Sequence, residues 1–197
     1  ALPNLATLWP ATVRQMGASR VITGTARIFL EEMDQERDTW QEELHDKVEY
    51  AWLTDYTIIS DDGETIAQAI QAGTAVAVRD GSYKDGFGTA AWVIEGIDAK
   101  HNIMGSCSVP GPPDWQGAYR SELTGLLGSL YCISTLVKWY KINKGRVRVG
   151  CNGLSALEES SKTTTHCPIR KHYDLISAIR TLIKEMPIDI DFFHVKG

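Results

Sequence analysis

The sequence predicts an α/β domain, a mixed five-stranded sheet in the order βββαβααβ flanked by helices, with an N-terminal helical appendage. Three observations carry this reading. Three short strand-like segments follow one another with brief turns between residues 74 and 109. A long helical stripe comes next. Alternating segments then return at 146–151 and 188–195, with helix-like sequence between them.

Taken in order, Ile28 to Trp52 reads as a helix, because Met33, Trp40, Leu44, Val48 and Trp52 recur at helical spacing among many carboxylates. A shorter helix is expected from Glu64 to Ala72, with Asp61 placed to cap it and Gly73 to end it. Residues 1–72 are read as a connecting and packing segment, and residues 73–197 as the domain that carries chemistry. Thr74–Asp80 is a short apolar strand ending in an acid. A Gly-rich turn, GSYKDGFG, leads into strands over Thr89–Ile97 and Asn102–Val109. The prolines of PGPPDW end this run, since they cannot join a central strand. From Ala118 to Tyr140, Leu123, Leu126, Leu127, Leu130, Ile133, Val137 and Tyr140 mark the buried stripe of a long helix, which Gly145 ends. Arg146–Cys151 alternates as a fourth strand and Ile188–Val195 as a fifth, with helices at Leu154–Ser160 and Pro168–Glu185 between them.

Composition narrows the function classes. No apolar run approaches the roughly 20 residues needed to span a bilayer, and the first residues lack a signal-peptide pattern. Cys107, Cys132, Cys151 and Cys167 have no paired spacing, which suits free thiols in a reducing, intracellular compartment. The net charge is −5, but it is unevenly spread. Residues 118–197 carry 12 Lys+Arg against 7 Asp+Glu, whereas residues 1–117 carry 8 against 18. A basic half can face phosphates while an acidic half stays away from them, although two differently solvated surfaces would give the same counts.

Three positions can meet. Asp80 ends the first strand of the domain, Glu122 lies near the start of the long helix, and Asn152 follows the fourth strand. If the first and fourth strands are parallel neighbours with the helix packed across them, all three side chains converge. Two hard divalent cations about 4 Å apart need several carboxylate oxygens converging from rigid elements in this way. Each position also has a plain structural reading: a turn acid before Gly81, a charge complementing the helix dipole, and a tight Asn152–Gly153 turn.

Over residues 73–197 the sequence resembles the ribonuclease H family. The resemblance rests on DGS at 80–82 with its Gly-rich turn, YRSEL at 119–123, CNGLSAL at 151–157 and FHVKG at 193–197, in that order and placement. It implies a metal-dependent endonuclease that hydrolyses the RNA strand of RNA–DNA hybrids, using two Mg2+ ions, with Mn2+ able to substitute. It implies that Asp80 bridges both metals and that Glu122 holds one. The third family acid falls on Asn152, whose neutral amide should weaken metal binding, and the fourth lies beyond Gly197. An Asp-to-Asn change is a common way to trap a metal nuclease on its substrate; a degenerate copy of the enzyme fits equally. A reverse-transcriptase-like parent protein is expected.

The same resemblance places Gly81, Ser82, Tyr119, Arg120 and Ser121 against the hybrid, where a 2′-hydroxyl distinguishes RNA from DNA. Lys162, Arg170 and Lys171 are placed to meet DNA-strand phosphates. Other features lead nowhere. His166, Cys167 and His172 lack a second pair to complete a zinc site, and no phosphate-binding helix follows Asp85-Gly86-Phe87-Gly88. Two alternatives stay open: a non-catalytic hybrid-binding or scaffold domain, and an integrase-like DNA strand transferase.

Overall fold

The computed structural model describes residues 39–46, 50–54, 56–98, 100–151 and 171–195. Asn152, Lys162 and Arg170 lie outside the described residues, as do the helix expected over 154–160 and most of the appendage. In chain order the elements are α1 (Trp40–Asp46), α2 (Ala51–Thr54), β1 (Tyr56–Ile59), α3 (Glu64–Ala72), β2 (Ala75–Lys84), β3 (Phe87–Glu95) and β4 (Asn102–Ser108). A 3-10 turn at Pro113–Trp115 precedes α4 (Ala118–Trp139), β5 (Arg146–Cys151), α5 (Tyr173–Glu185) and β6 (Asp189–His194).

Among the described residues the sheet is mixed and has six strands, in the order β1-β4-β3-β2-β5-β6. The first three pairings are antiparallel, and β2–β5 and β5–β6 are parallel. The parallel pairing of β2 with β5 is the one the sequence required. The sixth strand, β1, was not expected. Its four residues alternate between exposed and half-buried, so YTII carries no core signature of its own and is fixed by pairing with β4.

Strand boundaries moved for a local reason. The segment read as a Gly-rich turn is largely strand, with Lys84 pairing Phe87 across a two-residue loop. Asp85 and Gly86 both have positive φ, at 51° and 87°. That geometry matches the right-handed twist of a hairpin and suits an Asp-Gly pair. The helix expected from Pro168 begins at Tyr173 among the described residues, preceded by His172 in the left-handed region at φ 68°.

Alternation along the strands sends one set of side chains toward α4. Ala75 and Ala77 of β2, Ala90, Trp92 and Ile94 of β3, and Val147 and Val149 of β5 are buried there. From Arg120 to Val137 every residue of α4 is buried, so this helix is wrapped all round rather than striped. Trp92 fits a slot made by two glycines: a Cβ on Gly105 would lie 2.3 Å from its ring, and one on Gly128 2.5 Å. Trp40, Leu44, Leu53, Ile66 and Ile70 join the same core. The compact unit accordingly starts at Thr39, and the Tyr131 hydroxyl donates to the Leu44 carbonyl at 2.9 Å within it. At the start of α3 the N-cap is Gly63, at φ 80°, not Asp61 as expected; Asp61 still accepts from the Thr65 N–H at 3.1 Å, and Gly73 ends the helix at φ 71° as expected. No helix among the described residues is long and apolar enough to cross a membrane.

Candidate nucleic-acid site around Asp80 and Glu122

Close packing of backbone on backbone brings β2 and the start of α4 together. A Cβ on Gly81 would lie 2.5 Å from the Glu122 nitrogen and 2.5 Å from the Ser121 carbonyl carbon, so only glycine permits this approach. The Ser121 hydroxyl, wholly buried, fastens the contact by donating to the Ser82 carbonyl at 2.9 Å. Asp80 and Glu122, 42 residues apart in sequence, thereby become electrostatic neighbours. Burial pushes the Glu122 carboxyl above its ordinary value, the Arg79 guanidinium pulls it down, and the charge of Asp80 pushes it up again. The Gly81 N–H also donates to it.

Arg79 is the residue that the sequence reading missed. Its side chain is fully buried, and its Nη1 donates to the Glu122 carbonyl at 2.6 Å and to Oε2 at 2.7 Å. A signal was available, since period-two alternation puts Arg79 on the helix-facing side with Ala75 and Ala77. Asp80, one residue on, points to the opposite, uncovered face. There, with Ser82, Thr89, Ala91, Ser106, Ser108 and Tyr56, it lines a shallow depression of about 380 Å³.

The expected substrate contacts divide. Gly81 and Ser82 lie beside Asp80, with Ser82 exposed. Arg120 and Ser121 do not face a substrate. Arg120 is 1% exposed; its Nε donates to the Pro110 carbonyl at 2.6 Å, its Nη1 donates to Asp174 Oδ1 at 3.0 Å, and it lies 5.5 Å over the Trp115 ring. Wrapping of α4 on all sides turns this arginine into a brace between α4 and α5. Tyr119 is half-buried with its ring 5.3 Å from that of His172, and Lys171 is exposed next to them.

This brace makes a pH prediction. Burial lowers the His172 pKa below 6.5, and the positive charges of Arg120 and Lys171 lower it further. Since Arg120 can only donate, the contact of its Nη1 with Nδ1 at 3.4 Å needs a neutral ring. Below pH 6.5 the unfolded chain takes up a proton that the folded chain refuses, so stability falls with pH until the lowered folded value is passed. Urea unfolding at pH about 7.5 and about 5.5 should give a smaller difference for His172→Asn, which tolerates positive φ, than for the wild-type chain. An equal difference would remove His172 from the account.

Two Mg2+ ions do not fit the described residues. Among the described residues no three His, Cys, Asp or Glu side chains gather as a metal-holding group. One oxygen of Glu122 is already held by a buried guanidinium, and Asp80, Glu122 and Arg79 together leave a single negative charge against the four positive charges of two ions. The third expected ligand, Asn152, is neutral by its chemistry.

Among solved structures, the chain is similar to RNase H1 from the halophilic archaeon Halobacterium salinarum NRC-1, at 13% identity, with 62% of this chain and 85% of that one covered and a TM-score of 0.43. It is also similar to the N-terminal RNase H domain of a Mycobacterium tuberculosis protein, at 15% identity, 62% and 81% coverage and a TM-score of 0.40. LC11-RNase H1, solved in complex with RNA/DNA hybrid, matches at 16% identity, 62% and 85% coverage and a TM-score of 0.42. No family model and no curated protein matches the chain.

Proposed function

We propose that this domain is a ribonuclease H-type module that engages RNA–DNA hybrids, with hydrolysis of the RNA strand suppressed in this chain. The observation that carries the reading is the nearness of Asp80 and Glu122, close enough for the charge of one to raise the pKa of the other, with Gly81 packed against the start of α4. Beside Asp80 the exposed hydroxyls of Ser82, Thr89, Ser106 and Ser108 can donate to and accept from the 2′-hydroxyls of an RNA strand. The basic balance of residues 118–197 supplies attraction for phosphates. Suppression follows from the donor set: a guanidinium occupies one acid and an amide replaces another.

Fluorescence anisotropy with labelled hybrid, duplex DNA and duplex RNA tests the reading. The expected result is hybrid binding about tenfold or more tighter than that of duplex DNA, weakening steeply with salt. With Mg2+ present, the RNA strand should stay intact on the wild-type chain. Equal affinity for hybrid and duplex DNA would sink the proposal. Joining or cutting of duplex DNA would instead favour a DNA strand transferase.

A further inference from the structure

We propose that Arg79 is a built-in counter-ion that takes the place of a divalent cation beside Glu122, so that the site takes up no more than one metal ion. The inference rests on reading Asp80 and Glu122 as the acids of a ribonuclease H-type site, and it assigns the reason that this site departs from two-ion chemistry. Three features of the chain support it. The guanidinium meets Glu122 twice, at the backbone oxygen and at Oε2, so the carboxylate and the helix that carries it are held by the same group. Its side chain is fully buried, with small neighbours Ala75 and Ala77 along the same strand face leaving room for a long side chain. Finally, an arginine cannot shed its charge to admit a metal, as a lysine could.

A positive charge hydrogen-bonded to one oxygen of a prospective ligand repels any cation approaching the other oxygen, and it does so strongly where burial has removed water. Arg79 thus acts as a positioning residue. It keeps Glu122 aimed at β2 in the absence of metal, and it keeps that carboxylate from being shared. Asp80, on the uncovered face, is the acid that remains accessible to a cation.

Titration with Mn2+, followed by the electron paramagnetic resonance of the free ion and done without nucleic acid, tests the idea. The wild-type chain should take up no more than one Mn2+, and Arg79→Met should raise the affinity about tenfold or more. Two ions on the wild-type chain, or a folded Arg79→Met variant with unchanged affinity, would overturn it. Should Arg79→Met not fold, the wild-type chain decides alone. Its Arg79 guanidinium protons keep their slow exchange with solvent at saturating Mg2+ if the pair holds, and loss of that protection overturns the proposal. Because no hybrid is present, failure here leaves hybrid binding untouched, and loss of hybrid binding leaves the metal count standing.

Discussion

Replacing Arg79 with alanine is expected to cost the fold about 3–5 kcal/mol, the range for breaking a buried ion pair and leaving one charge unpartnered. The partner left behind is Glu122, only 12% exposed at its side chain. Most of that cost is the desolvated carboxylate, not the lost attraction. The double variant Arg79→Met with Glu122→Gln should therefore regain most of the stability, because it removes both charges and keeps an acceptor for the Gly81 N–H. Urea unfolding of the single and double variants measures the difference. A double variant as unstable as Arg79→Ala would mean that Arg79 stabilises something other than its pair.

An effect of similar size is expected at Trp92. Trp92→Ala should destabilise by about 3–5 kcal/mol, toward the upper end, since the cost rises with the cavity that remains. The slot walls are Gly105 and Gly128, which have no side chains to relax into the space. The ring is 1% exposed and joins β3 to both β4 and α4. Thermal or urea unfolding checks this, and a loss below about 1 kcal/mol would show that the slot collapses around the missing ring.

These two side chains also mark how far the sequence could be read. Trp92 belongs to a strand whose alternation was plain, and β2, β3, β4, β5, α4 and β6 were all legible for that reason. β1 was not legible, because its place depends on β4, more than 40 residues later in the chain. Asp80 and Glu122 were singled out as candidates from positions read as a strand end and a helix start, although β2 runs on past Asp80 to Lys84. Arg79 was passed over, although the alternation that located Asp80 on one face put its neighbour on the other. Arg120 was misplaced for a related cause. It sits three residues before Leu123, on the stripe already marked as buried, yet its charge suggested solvent. The rule that fails in both cases is that arginine stays outside; here each one meets a carboxylate, Glu122 or Asp174.

The two ends of the strand order have a consequence for how the molecule behaves in company. A sheet with open edges can be extended by any chain that offers a strand. One edge here, β1, is only four residues long, too short a template to hold a guest firmly. The other, β6, places exposed Asp189, Asp191 and His194 along its length. A visiting strand would have to lie beside the two carboxylates and leave part of their hydration. Among the described residues the sheet therefore ends at its sixth strand, and these two edges give little encouragement to fibrils when many copies are crowded together.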